Sequence, residues 1–175
     1  RRGMTRTPLL AAALSLTLAA CAGAPSQPAM NLDFSGSNTQ DNWNAGNAAY
    51  LVVNGAKRGW TTTESGLQYR RVGAAKPEGK QPVATDTVKV HYRGTFVDGR
   101  EFDSSYSRNE PAEFPLNRVI KGWTEGVALM REGETFEFVI PASLGYGDRW
   151  VGGDDLPPNS TLLFTVELLD VQPAA

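Results

Sequence analysis

From Leu162 to Leu169 the chain places Leu162, Phe164, Val166 and Leu168 on one alternation and Leu163, Thr165, Glu167 and Leu169 on the other, so both faces are mostly apolar. A strand that is apolar on both faces must be covered on both, which puts it in the middle of a sheet. The remaining pattern has to be arranged around it. Val88, Val90, Tyr92, Gly94 and Phe96 alternate with Lys89, His91, Arg93 and Thr95, as in a longer strand with one buried face. Phe136, Phe138 and Ile140 repeat the alternation from Glu134 onward until Pro141 stops it, and Leu67 and Tyr69 mark another strand within Gly66–Val72. Asp98-Gly99 is a turn signal between Val97 and the Glu101-Phe102-Asp103 segment, which implies a hairpin-like reversal. One segment breaks the period of two: Trp123, Val127 and Met130 stand at helical spacing, and Arg131-Glu132-Gly133 closes the run. Strands dominate and one short helix covers a face, so the expected class is α+β, an antiparallel sheet curled around a helix.

Apolar residues are dense from Leu67 to Val171 and thin between Ala22 and Ala48. The folded domain is therefore expected at residues 61–175. Residues 21–60 are expected to be a flexible tether, rich in Ala, Gly, Ser, Asn, Gln and Pro, that cannot bury enough surface to offset its ordering entropy. Within it, Ala48–Lys57 is expected to form one or two helical turns at most, because its Val pair and Gly55 disfavour more.

Residues 1–20 have the three parts of a secretory signal: Arg6 ahead of an apolar run from Leu9 to Ala20, with small residues at its end. At 12 residues the run is too short to span a bilayer, which takes about 20. It ends Leu18-Ala19-Ala20-Cys21, and Cys21 is the only cysteine in the chain. This junction resembles the lipobox of bacterial lipoproteins, which implies lipidation at Cys21 and a membrane partner reached through that anchor. Ala22 after the cysteine, rather than Asp, resembles the sorting pattern for the outer membrane. The expected location is the cell envelope, on the outer membrane facing the periplasm.

Other chemistries are excluded early. One cysteine and one histidine cannot make a disulfide or a Cys/His zinc site, so no metal is expected. A net charge of −2 with no basic stripe argues against nucleic acid as a partner. No strained Gly-x-Ser-x-Gly turn is present to support a serine nucleophile. His91 alternates with Tyr92 and is expected to face the other side of its strand, in a structural role.

Several motifs occur in order over about a hundred residues. They are His91-Tyr92-Arg93-Gly94, Asp98-Gly99-Arg100-Glu101-Phe102-Asp103-Ser104-Ser105, Val119-Ile120-Lys121-Gly122-Trp123-Thr124-Glu125-Gly126-Val127, Pro141-Ala142-Ser143-Leu144-Gly145-Tyr146-Gly147 and Leu156-Pro157-Pro158-Asn159-Ser160-Thr161-Leu162-Leu163-Phe164. Together they resemble the FKBP-type peptidyl-prolyl cis/trans isomerases, and Thr62–Tyr69 resembles the domain entry of the bacterial Mip and FkpA branch. The resemblance implies a five- to six-stranded antiparallel sheet wrapped on one helix, and rotation about X–Pro bonds without a cofactor. It further implies proline-containing polypeptide clients, and macrolide inhibitors as a second ligand class.

By the same resemblance Trp123 floors a proline pocket walled by Tyr92, Phe102, Val119, Ile120 and Phe164. Asp103 and Tyr146 are the catalytic polar groups at its mouth. The chain departs from many relatives in having Ala112 after Pro111, with Phe114 two residues later, and in a 147–156 loop without the family's His and Ile. Phe114 is expected to line the site, and Trp150 and Leu156 to fill in for the missing loop residues. Aromatics in alternating strands are more often plain core than a site; here the ordered spacing around Asp103 and Tyr146 decides otherwise. The rival reading is a lipoprotein that uses the same groove to hold partners, or as a chaperone, without catalysis.

Overall fold

The computed structural model describes residues 40–152 and 155–175. The leader, Cys21 and the tether up to residue 39 lie outside the described residues. Helix α1 spans Gln40–Gly55 and helix α2 Lys121–Val127. The strands are β1 (Thr61–Thr62), β2 (Gln68–Val72), β3 (Thr87–Phe96), β4 (Glu101–Ser104), β5 (Ala112–Pro115), β6 (Thr135–Ile140) and β7 (Leu162–Gln172).

The strands form one antiparallel sheet in the order β1-β2-β6-β7-β3-β4, and β5 pairs with the other end of β3. β7 lies in the middle, as expected, joined to β6 from Thr135↔Glu167 to Ile140↔Leu162 and to β3 from Thr87↔Gln172 to Phe96↔Leu162; only one of its faces is buried, and on the other Leu163 is partly covered and Leu169 exposed. The sheet has the expected antiparallel character. It reaches seven strands among the described residues because the two-residue β1 and the short β5 add to the five other strands.

One face of the sheet carries the core. Val88, Val90 and Tyr92 of β3, Phe136, Phe138 and Ile140 of β6, and Leu162, Val166 and Leu168 of β7 are buried there with Trp123, Val127 and Met130. Each large side chain so buried contributes about 1.5–3 kcal/mol. Helix α2 lies close against this face because Gly122 and Gly126 lack side chains. A Cβ on Gly122 would meet Ile140 at 2.6 Å, and one on Gly126 would meet Phe138 at 2.5 Å.

Helix α1 differs from expectation. It has 16 residues and starts at Gln40, inside the segment read as tether. Its inward side is polar, so a search for apolar periodicity passes over it. Asn47 is 1% exposed; its Oδ1 accepts the Thr161 N–H at 2.7 Å, and its main-chain oxygen accepts from the Thr161 hydroxyl at 3.3 Å. Asn54 donates to Gln68 Oε1 at 2.8 Å, and Gln68 donates back to the Leu51 carbonyl at 2.8 Å. Trp43 donates to Ser160 Oγ at 3.1 Å and meets Phe96 edge-on at 5.7 Å. Buried amides cost little when both partners are bonded, so this helix docks through hydrogen bonds rather than an apolar stripe.

Candidate active site

A groove of about 490 Å³ opens where α2 meets the core-bearing face of the sheet. Its base is the Trp123 indole, 4% exposed. Three rings stand nearly perpendicular to it: Tyr92 at 5.2 Å and 87°, Phe164 at 5.3 Å and 85°, and Phe114 at 5.6 Å and 88°. Edge-to-face packing of this kind is favourable for aromatic rings, and here it makes a plate enclosed by three walls. Phe102 extends the wall beside Phe164, centroid to centroid 5.5 Å, and Val119 and Ile120 complete it ahead of α2. The wall depends on Gly94 of β3, where a Cβ would lie 2.6 Å from Phe102 and 2.7 Å from Phe164.

The walls come together through strand register. Tyr92, on the inward alternation of β3, lies opposite Val166, and Gly94 opposite Phe164. Across the other edge Gly94 pairs with Asp103 of β4, next to an irregularity that turns the strand. Just past β4, Ser105 is fully buried and clamps the β3 backbone: its hydroxyl oxygen accepts the Tyr92 N–H at 2.7 Å, and its own N–H donates to the Tyr92 carbonyl at 2.9 Å. His91 pairs with the Ser105 hydroxyl at 2.8 Å and stacks on Tyr106, the structural role expected of it.

Three polar side chains form a closed unit at the mouth. The Tyr92 hydroxyl donates to Asp103 Oδ2 at 2.5 Å. Arg108 donates to Asp103 Oδ1 at 2.5 Å and to the Tyr92 oxygen at 2.9 Å. Burial pushes the Asp103 carboxyl up, but the hydrogen bonds from Tyr92 and Arg108 and the guanidinium charge outweigh it and hold the group below the usual carboxylate range. Burial, then the bond to Asp103, pushes the Tyr92 phenol up. Asp103 is thus a fixed anion with both oxygens engaged.

Tyr146 follows a 3-10 turn at Ala142–Leu144, and its loop is secured by the Gly147 N–H to Ala142 and the Asn159 N–H to Gly147, at 2.9 and 2.8 Å. Its side chain lines the groove, and its hydroxyl makes no hydrogen bond among the described residues. Burial, and then the negative charge of Asp103, pushes this phenol up. With the Tyr92 hydroxyl committed on both sides, Tyr146 is the groove hydroxyl left to donate to a ligand.

The structure therefore brings together Tyr92, Phe102, Asp103, Phe114, Val119, Ile120, Trp123, Tyr146 and Phe164. Leu156 is not brought in. It is 7% exposed in the core, bridged to Val151 through two backbone hydrogen bonds, and does not line the groove. Two functional candidates escape the sequence pattern: Arg108, which holds Asp103, and Arg118, which lines the groove wall. Neither sits in an alternating or helical run that would single it out.

Sheet, helix and aromatic box define the class. The model of the FKBP-type peptidyl-prolyl cis-trans isomerase family matches residues 78–169, and the chain belongs to that family. It is 53% identical over 129 residues to FkpA of Aeromonas hydrophila, covering 72% of this chain and 46% of that protein. It is 45% identical over 127 residues to the outer membrane protein MIP of Legionella longbeachae, covering 73% of this chain and 53% of that protein. The crystal structure of FkpA from Escherichia coli superposes with a TM-score of 0.72 at 45% identity, over 77% of this chain and 62% of that one. The chain thus spans about half the length of the curated relatives it matches.

Proposed function

We propose that this chain is a peptidyl-prolyl cis/trans isomerase that assists folding of envelope or secreted proteins. The carrying observation is the Trp123 plate walled by three perpendicular rings, with one free hydroxyl, Tyr146, at its mouth. The X–Pro bond is held planar by a resonance barrier of about 18–20 kcal/mol, and it isomerises unaided in tens to hundreds of seconds. No bond is made or cut, so no nucleophile is needed. A site that binds the twisted imide better than either planar form lowers the barrier.

The proline ring enters the box onto Trp123, between Tyr92, Phe114 and Phe164. The apolar walls strip water from the imide and so disfavour its charge-separated planar form. Tyr146 donates its hydroxyl to a substrate carbonyl. The Ile120 carbonyl is already taken by the N–H groups of Trp123 and Thr124, which leaves its own N–H to pair with the substrate chain. Asp103, held by Tyr92 and Arg108, moves no proton; it sets the field and keeps the Tyr92 wall upright. The same apolar groove suits a macrolide. Cys21 carries a lipid anchor that places the domain in the cell envelope, at the outer membrane on its periplasmic side. The signal pattern ending at Cys21 supports this, as does one relative named as an outer membrane protein.

The test is isomerisation of a short X–Pro peptide by the purified protein beside Asp103→Ala and Tyr146→Phe. Acceleration by the wild type is expected, with a loss of about fivefold in kcat/KM for Tyr146→Phe, the worth of one hydrogen bond of about 1 kcal/mol. If neither wild type nor variants exceed the uncatalysed rate across several residues before proline, the groove only holds its partners.

A further inference from the structure

We propose that Arg118 makes the groove a reader of charge, favouring chains that carry an acidic side chain next to the proline; this rests on the isomerase reading and names its preferred substrates. Arg118 ends the 3-10 turn Leu116–Arg118 and immediately precedes the wall residues Val119 and Ile120. It lines the groove, is exposed, and makes no ion pair or hydrogen bond among the described residues. Most other arginines of the sheet and its loops are committed: Arg70 to Glu137, Arg71 to Glu134, Arg93 to Glu101, Arg100 to Asp98 and Arg108 to Asp103. An unpaired guanidinium on a substrate-sized groove is a planar donor fork suited to a carboxylate.

The surrounding charges do not cancel it. The one carboxylate lining the groove is Asp103, and Arg108 neutralises it at 2.5 Å. Glu113 is near in sequence but alternates with Phe114 along β5, so it faces away from the box and sits opposite Lys89 in the sheet register. Lys121, exposed at the start of α2, is not among the lining residues, so Arg118 is the unneutralised charge of the lining. The groove wall ahead of α2 is therefore net positive. A glutamate or aspartate flanking the bound proline gains attraction there, and a lysine is repelled. Exposed ion pairs are weak, so the preference expected is about threefold to fivefold at low salt, and it shrinks as salt screens it.

The experiment uses three peptides that differ only in carrying Glu, Gln or Lys beside the proline, with isomerisation followed by NMR exchange so that no protease adds its own preference. The order Glu over Gln over Lys in kcat/KM is expected for the wild type. The Glu/Gln ratio should fall to about one in Arg118→Gln, and the order should invert in Arg118→Glu. Each ratio is internal to one protein sample, so partial misfolding of a variant cancels. Equal rates for the three peptides in the wild type, or a Glu preference that survives Arg118→Gln, would overturn the proposal. If no peptide is accelerated, the isomerase reading has failed. Fluorescence anisotropy with the same peptides, labelled, then decides the charge reading from their Kd ratios alone.

Discussion

At the scale of residues, the site depends on one anion that does not titrate where the protein works. A carboxyl whose folded-state pKa lies below its unfolded value, near 3.9, stabilises the fold above that value. That contribution is lost as the pH falls through the lower, folded value. For Asp103 the loss is therefore confined below about pH 4. Tyr92 and Tyr146 are pushed up from 10.0, so neither ionises at neutral pH. The groove keeps one charge state from about pH 5 to about pH 9, and kcat/KM against pH is expected to be flat across that range. A limb inside it that disappears in Asp103→Asn would contradict this. Tyr92, Phe102, Trp123 and Phe164 were legible because alternation and ordered motifs coincide on them. Arg108 and Arg118 were not: neither lies in a periodic run, and the partner of Arg108 and the groove beside Arg118 exist only once the chain has folded. Leu156 packs in the core, and an apolar residue before Pro157 looks the same in sequence whether it faces a groove or a core.

At the scale of elements, the box exists because a seven-residue helix lies almost on the sheet. The contact between Gly126 and Phe138 sets that distance. In Gly126→Ala, helix propensity gains up to about 1 kcal/mol, and overpacking against the Phe138 ring costs about 1–3 kcal/mol. A net loss of up to about 3 kcal/mol is expected. It should be read as a lower denaturation midpoint with an unchanged slope; a stability equal to or above the wild type would show that α2 can move away. The strands and α2 were legible from periods of two and 3.6. Helix α1 was not, since the side that docks carries Asn47 and Asn54 where periodicity looks for Leu or Val. Its hydrogen bonds to Thr161 and Ser160 hold the segment between the Tyr146 loop and β7, so a helix read as part of a tether braces one rim of the groove.

At the scale of the whole molecule, the lipid anchor proposed at Cys21 would have the domain meet clients near a surface rather than in free solution. Stable anchoring takes more than one acyl chain. Cys21→Ser is expected to abolish metabolic labelling with a fatty acid and to move the protein from the membrane to the soluble fraction, while its rate on short peptides is retained. Labelling that persists in the variant would remove Cys21 as the anchor. The fold carries a further consequence in the placement of β7. It is the last strand in chain order, yet it sits between β6 and β3. Everything made before it falls into two half-sheets, β1-β2-β6 and β3-β4-β5, with no hydrogen bonds joining them across the gap. During synthesis the two half-sheets therefore stay unjoined until β7 emerges, and the sheet closes only after β1 to β6 have been made. An enzyme proposed to attend the slow folding of other chains is itself dependent on its most distant contacts.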